Sequence, residues 1–156
     1  MLLFKINNFE ITLNISKLHS MIDTTELRIG NLVYRLGVAF PLCVEEISKN
    51  EIVVSFLESK EMCEKRPVTE FEGIPLTKEW LLKFGFLSNE DYSPMCYGNG
   101  TIGGFFDGKY FHYDISRVQY VHQLQNLYNS LTGEELISKT VYFKGIRRLR
   151  EDIKEI

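Results

Sequence analysis

The residues best suited to chemistry lie together in one run, Tyr120–Leu136, which reads YVHQLQNLYNSLTGEEL. One histidine and three amides recur there at spacings that place them on one face of a helix: His122, Gln125, Asn126 and Asn129. A neutral imidazole beside amides can bind a small polar ligand or act as a general base. The alternative is structural, with a histidine that forms local hydrogen bonds and amides that satisfy the ends of neighbouring strands. These four residues are the candidate ligand-binding site.

A second histidine, His112, alternates with Tyr110 and Asp114 in a predicted strand, so the three would share one side of a sheet. An enzyme centred on His122 or His112 would hold the imidazole beside a carboxylate in a concave pocket. The alternative for His112 is the solvated face of an antiparallel sheet. The chain has no glycine-framed serine and no cysteine with an evident histidine partner. We therefore assign no catalytic residue.

The compact basic patch of the chain consists of Arg147, Arg148 and Arg150. Arginine binds phosphate in a bidentate manner, so this patch could bind nucleic acid together with exposed aromatic residues such as Tyr110 or Tyr113. Carboxylates follow the patch at once, and the formal net charge of the chain is −3. The sequence as a whole therefore has no electrostatic attraction for nucleic acid, and such binding is a possibility that we do not favour.

Metals, cofactors and membranes are disfavoured by residue type and spacing. The three cysteines are scattered and form no metal-binding pattern, which favours reduced thiols in a cytoplasmic protein. The glycine-rich run YGNGTIGGFF lacks the helix start and the Lys-Ser/Thr pair of a phosphate-binding loop. The N-terminus does not resemble a signal peptide, and no apolar stretch is long enough to span a bilayer. We expect no cofactor, no metal and no membrane.

The apolar pattern predicts an α+β fold with two antiparallel β-meanders, a short helix between them, and a longer helix of the C-terminal half packed on the sheet. The first meander would lie between residues 27 and 56 and the second between residues 91 and 120, with a type I′ turn at Asp107-Gly108. The charged segment 57–73 is interpreted as a mobile loop.

Two helices are predicted from their caps and apolar stripes. Thr77 would begin the short helix and Gly85 would end it. Gly133 would end the longer helix, which starts near Val121. The buried stripe of the longer helix would be Val121, Leu124, Tyr128 and Leu131, with Leu127 beside it.

The predicted domain covers residues 23–138. Residues 1–22 would form an N-terminal extension with a possible strand, with Met21 as an alternative translation start. Residues 139–156 would form a short strand and an amphipathic tail helix that docks on the domain or on a second copy of the chain.

Three segments together resemble a group of small uncharacterised bacterial proteins, many of them carried on prophages and mobile elements. The segments are Glu26–Tyr34 (ELRIGNLVY), Ile74–Phe86 (IPLTKEWLLKFGF) and Tyr120–Leu136. The resemblance covers Glu26 to Leu136 and implies a phage-related setting. It carries over no catalytic residue.

The leading hypothesis is a non-catalytic binding or accessory protein of phage or mobile-element origin, with a protein partner or self-association through the C-terminal tail. The first alternative is nucleic-acid binding through exposed aromatics and Arg147–Arg150. The second alternative is an enzyme with a site centred on His122 or His112.

Overall fold

The computed structural model describes residues 2–6, 9–13, 22–38, 40–57, 59–89 and 93–138, of which 2–6, 9–13, 59–61 and 89 are described by their backbone. From residue 22 onward these residues form two antiparallel five-stranded sheets and two helices, which confirms the α+β class. The N-terminal extension contains two strands instead of one, since β1 (Leu2–Ile6) pairs antiparallel with β2 (Phe9–Leu13). The predicted strand and tail helix at 139–156 lie outside the described residues.

The first sheet is a meander to which a returning strand has been added. Its strands are β3 (Leu32–Arg35), β4 (Leu42–Ile47), β5 (Glu51–Phe56), β6 (Ser59–Pro67) and, after a 3-10 turn (Val68–Glu70), β7 (Phe71–Gly73). The first four are consecutive neighbours, and β7 pairs with β3 on its free side, giving the order β6-β5-β4-β3-β7. The predicted simple meander of three strands is therefore only part of this sheet.

The prediction of a mobile loop at residues 57–73 is wrong, because this segment forms β6, the 3-10 turn and β7. The charges of β6 are tolerated because this strand lies at an edge of the sheet, where they pair with neighbours. Lys65 Nζ lies 2.9 Å from Glu51, and Arg35 lies 3.0 Å from Glu64. Charged side chains commonly protect an edge strand from pairing with other chains. Charge density alone was thus a misleading sign of a loop.

The second sheet is a meander of five consecutive strands, in the order β12-β11-β10-β9-β8. Its strands are β8 (Leu87–Asn89), β9 (Ser93–Gly98), β10 (Gly103–Phe106), β11 (Phe111–Tyr113) and β12 (Ser116–Val118). The second meander, predicted between residues 91 and 120, is confirmed in outline. A turn containing Asp114, whose φ is +52°, separates β11 from β12.

The turn between β10 and β11 differs from the predicted type I′ turn at Asp107-Gly108. Asp107 N donates to Tyr110 O over 3.2 Å, so the central residues are Gly108 and Lys109, of which only Gly108 has a positive φ (+95°). Asp107 Oδ1 accepts from the backbone N–H groups of Lys109 (2.9 Å) and Tyr110 (2.7 Å). The aspartate therefore closes the turn with its side chain instead of occupying its centre.

Both helices begin and end where the sequence predicts. Helix α1 (Lys78–Lys83) follows Thr77, whose hydroxyl accepts from Trp80 N, and it ends at Gly85 with φ +81°. Helix α2 (Val121–Thr132) ends at Gly133 with φ +74°. The predicted buried stripe of α2 is confirmed at Val121, Leu124 and Tyr128. It is wrong at Leu131, which is 47% exposed in the last turn.

Strand β3 contributes to two hydrophobic clusters because neighbouring strand residues point to opposite faces. Val33 belongs to a cluster inside the first sheet, with Val44, Ile52, Val54 and Phe71. Leu32 belongs to a larger cluster that both helices and the second sheet share, with Trp80, Phe86, Phe111, Val121 and Leu124 among its members. The chain after β7 also pairs with the start of α2, where Val121 N donates to Ile74 O (2.9 Å). These contacts hold α2 against the first sheet.

Replacement of Gly104 by alanine is expected to destabilise the second sheet. A Cβ at this position would lie 2.4 Å from His112 O and 2.7 Å from the Phe111 ring, and the carbonyl belongs to a paired strand that cannot yield. We expect the free energy of unfolding to fall by roughly 1–3 kcal/mol. The control is Gly98→Ala, where the nearest atom to the new Cβ is Ile102 O at 3.5 Å. Urea unfolding followed by Trp80 fluorescence measures both, and an equal loss in the two variants would contradict the packing argument.

Candidate functional site

Helix α2 directs its polar face at the first sheet instead of at solvent. Gln123 Oε1 accepts from the backbone N–H groups of Gln119 (2.9 Å) and Tyr120 (3.2 Å) and so fixes where the helix starts. With the apolar stripe packed into the larger cluster, the adjacent polar face meets the loop that precedes β3. As a result His122 and Gln125 are only 1% and 3% exposed. The predicted ligand-binding face therefore lies against the protein's own backbone.

Gln125 is bonded to the backbone at both ends of its amide. Its Oε1 accepts from Leu32 N over 2.9 Å, and its Nε2 donates to Gly30 O (3.1 Å) and to Leu136 O (3.4 Å). One side chain thus joins the start of β3, the helix that carries it and the segment that follows the helix. This is the structural alternative considered for the amides, in which they satisfy the ends of strands.

Asn126 and Asn129 extend the same network along α2. Asn126 accepts from Asn31 Nδ2 (3.0 Å) and donates to Glu26 O (2.7 Å). Asn129 donates to Glu134 O (3.2 Å) and to Glu135 Oε1 (3.1 Å), and that carboxylate also binds Arg28. The structure therefore brings the three amides together as predicted, with their hydrogen-bonding groups engaged within the protein.

His122 differs from the amides, since neither ring nitrogen has a hydrogen-bond partner among the described residues. Its ring stacks on Tyr120, with centroids 5.7 Å apart and an interplanar angle of 10°. Nε2 lies 3.6 Å from Glu26 Oε2, which is longer than a hydrogen bond. Burial lowers the pKa of His122, and the Glu26 carboxylate acts in the opposite direction. A ligand-binding role for His122, Gln125, Asn126 and Asn129 stays a prediction.

His112 lies on the face of the second sheet that points away from the hydrophobic clusters. The register places Cys96, Phe105, His112 and Arg117 side by side across β9, β10, β11 and β12, and we call these four residues the cross-strand row. Their chain neighbours Tyr97, Phe106, Phe111 and Val118 are buried on the opposite side. We call the side that carries the cross-strand row the outer face.

The cross-strand row is aromatic at its centre. Phe105 is 40% exposed, and its ring centroid lies 5.9 Å from that of His112, which in turn lies 6.2 Å from Tyr110. His112 Nε2 lies 2.9 Å from Asp107 Oδ2. The hydrogen bond to His112 and the two backbone N–H groups of the turn lower the pKa of Asp107 to about 2, so its carboxylate is ionised.

Sequence reasoning identified Tyr110 and His112 on this side but missed Phe105 and Arg117. Both belong to other strands, and only the register of pairing shows that they are neighbours of His112. The proposal that Tyr113 is an exposed aromatic is wrong, because Tyr113 packs against the larger hydrophobic cluster. Arg147, Arg148 and Arg150 lie outside the described residues.

Two negative findings apply to the described part of the chain. It contains no group of three or more histidine, cysteine or carboxylate side chains arranged to hold a metal ion. Neither of its helices has the length and apolar character needed to cross a membrane.

Replacement of Gln125 by leucine is expected to lower stability by about 2–4 kcal/mol, because a buried backbone group left without its partner costs roughly 1–3 kcal/mol. The groups affected are Leu32 N, Gly30 O and Leu136 O. Gln119→Leu is the matched control, because the Gln119 side chain has no hydrogen-bond partner within the described residues. Urea unfolding of the two variants tests this, and equal stabilities would contradict a structural role for Gln125.

Stability should also fall as the pH is lowered, because the pKa of His122 is lower in the folded protein than its ordinary value of about 6.5. The folded state then binds fewer protons than the unfolded state, so this contribution is present above pH ~6.5 and is lost as the pH falls below it. Unfolding free energies between about pH 8 and pH 5 measure the effect. His122→Gln should flatten the dependence of the unfolding free energy on pH, because it removes the titrating imidazole. Glu26→Gln should steepen it, because the Glu26 carboxylate raises the pKa of His122. An unchanged profile in His122→Gln would contradict the assignment.

Comparison with known protein families, with curated proteins and with solved structures gave no match. The resemblance of three segments to proteins of prophages and mobile elements therefore stays a prediction, as does a cytoplasmic location. Two polar regions of the structure bear on function, namely the face of α2 that carries His122 and Gln125, and the outer face.

Proposed function

We propose that the protein is a non-catalytic binding protein and that its binding surface is the outer face. The observation that carries this proposal is the position of Phe105, a large apolar side chain that is 40% exposed at the centre of a five-stranded sheet. Leu87, on the same face two strands away, is 69% exposed. The Phe105 ring also adjoins that of His112, with centroids 5.9 Å apart, and exposed apolar and aromatic groups that adjoin one another are typical of interaction surfaces.

The buried polar groups support binding in preference to catalysis. The amides that could have oriented a substrate bond to the backbone of β3 and its loop. His122 is 1% exposed, so its imidazole presents no edge on which a substrate could lie. A general base must come within hydrogen-bond reach of the proton that it removes. These features argue against the alternative of an enzyme centred on His122.

The other histidine forms a pair that serves the fold. His112 contacts Asp107, whose second oxygen already accepts two backbone N–H groups of the turn between β10 and β11. The two side chains of the pair are each about one-third exposed. This arrangement supports a role in shaping the outer face. The setting on a prophage or mobile element belongs to the same proposal and rests on the resemblance.

The test is an affinity capture from an extract of the cells that carry the gene, with both proteins and nucleic acids identified. Wild type is compared with Phe105→Ser and with Phe40→Ser, a matched control whose phenylalanine is 48% exposed outside the second sheet. We expect at least one component to be retained by wild type and by the control, and to be reduced by about tenfold or more with Phe105→Ser. Equal retention by all three proteins would contradict a binding role for the outer face.

A further inference from the structure

We infer that the outer face binds single-stranded nucleic acid, with bases stacked on Phe105, His112 and Tyr110 and phosphates bound by Arg117 and Lys109. The inference rests on the proposed binding function and specifies the class of its ligand.

The three rings form a continuous platform. Phe105 and His112 are directly opposed on neighbouring strands, and His112 and Tyr110 lie two residues apart along the chain. Successive centroids are separated by 5.9 Å and 6.2 Å, and the ring planes are inclined to one another by 51° and 68°, so the rings adjoin as a stepped surface instead of a flat one. Aromatic side chains on a sheet surface are the usual stacking platform for unpaired bases, and stacking is tolerant of base identity.

Cations border the platform on two sides. Arg117 lies opposite His112 on β12 and is exposed, so its guanidinium is available to a phosphate. Lys109 Nζ lies over one face of the Tyr110 ring, 5.0 Å from its centroid, so a base would stack on Tyr110 from the other face. Neighbouring strands are about 4.8 Å apart, so Arg117 lies roughly two strand spacings from Phe105. A positive charge this close to a stacking surface complements a nucleotide, which joins a flat base to an anionic phosphate.

Two carboxylates also lie near the platform. Asp107 is the acidic group closest to the rings, and both of its oxygens are engaged, one by His112 and the other by the backbone of the turn. Asp114 lies in the turn at the opposite end of β11. These two carboxylates balance Arg117 and Lys109 in number, so the platform lacks the negative excess of the whole chain, whose formal net charge is −3.

Two glycines leave room for a strand beside the platform. Gly98 and Gly103 face each other across β9 and β10, two residues along from the pair formed by Cys96 and Phe105. They lie on the outer face, and the absence of side chains exposes the sheet backbone between Phe105 and Leu87. A flat strip of backbone beside exposed rings suits an extended chain of nucleotides. A duplex would keep its bases paired and out of reach of the rings, which is why we infer a single strand.

The experiment titrates fluorescent oligothymidylate and oligouridylate, and a duplex of matched length, with the full chain at low salt. We expect binding of at least one single strand, weaker binding of the duplex, and loss of affinity as salt rises from about 50 to 200 mM. Phe105→Ser should weaken binding by about tenfold, in the range observed for loss of one base–aromatic stack. Phe105→Trp should retain it, and Phe40→Ser should leave it unchanged.

Arg117→Gln should weaken binding and reduce the slope of log affinity against log salt by about 0.7, the effect of one phosphate contact on a single strand. Lys78→Gln, which removes one exposed positive charge from α1, is the control and should keep the wild-type slope. Thermal unfolding of each variant establishes that it is folded before it is titrated.

Three outcomes would overturn the inference. The first is the absence of binding to either single strand at low salt by folded wild type. The second is binding that does not depend on Phe105. In that case Phe105→Ser would bind like wild type, whereas the triple change Arg147→Gln, Arg148→Gln and Arg150→Gln would abolish binding. The third is capture of a protein, without nucleic acid, in a manner that depends on Phe105. That last result would leave the proposed binding function of the outer face intact. Capture that is insensitive to Phe105 would contradict both the proposed function and the inferred ligand class.

Discussion

The bonds of Gln125 to the backbone of the first sheet are the constraint on which the rest of the arrangement depends. One buried amide satisfies Leu32 N at the start of β3, Gly30 O in the loop before it and Leu136 O after α2. The bonds to Leu32 N and Leu136 O are buried, where water cannot replace the amide, so the helix has a fixed position relative to β3. Strand β3 contributes Leu32 to one hydrophobic cluster and Val33 to the other. The position of α2 relative to β3 therefore also fixes its position relative to both clusters.

The same constraint separates the polar residues into two groups with different tasks. Those on α2 face the protein, where His122 and Gln125 are buried and Asn126 and Asn129 are partly exposed. His122 is the member whose ring nitrogens have no hydrogen-bond partner among the described residues. Those on the outer face are partly exposed and lie beside Phe105 and Arg117. A histidine is thus found in each group, but only His112 is available to a ligand. The proposed function follows from this division, since a binding surface requires groups that a ligand can reach.

Local features were predictable because their causes are local. The capping by Thr77 and the helix ends at Gly85 and Gly133 depend on a few adjacent residues, and all three are confirmed. The loop predicted at 57–73 failed because the stability of β6 comes from its neighbour β5 and from ion pairs such as Lys65–Glu51, which are distant in sequence. The prediction of a type I′ turn at Asp107-Gly108 failed because an aspartate can close a turn with its side chain as well as lie at its centre.

What the sequence by itself determined was the class of fold, the helix boundaries and the grouping of His122, Gln125, Asn126 and Asn129 on one face of a helix. Helical periodicity places these residues together whatever surrounds the helix. Only the tertiary structure decided that this face is turned against the first sheet, because an amide can bond to the end of a strand and to a ligand through the same groups. The outer face likewise depends on strand register, since a shift of one residue would exchange Phe105 with Phe106. Pairing between strands, and not the order of residues along any one of them, placed Phe105 and Arg117 beside His112.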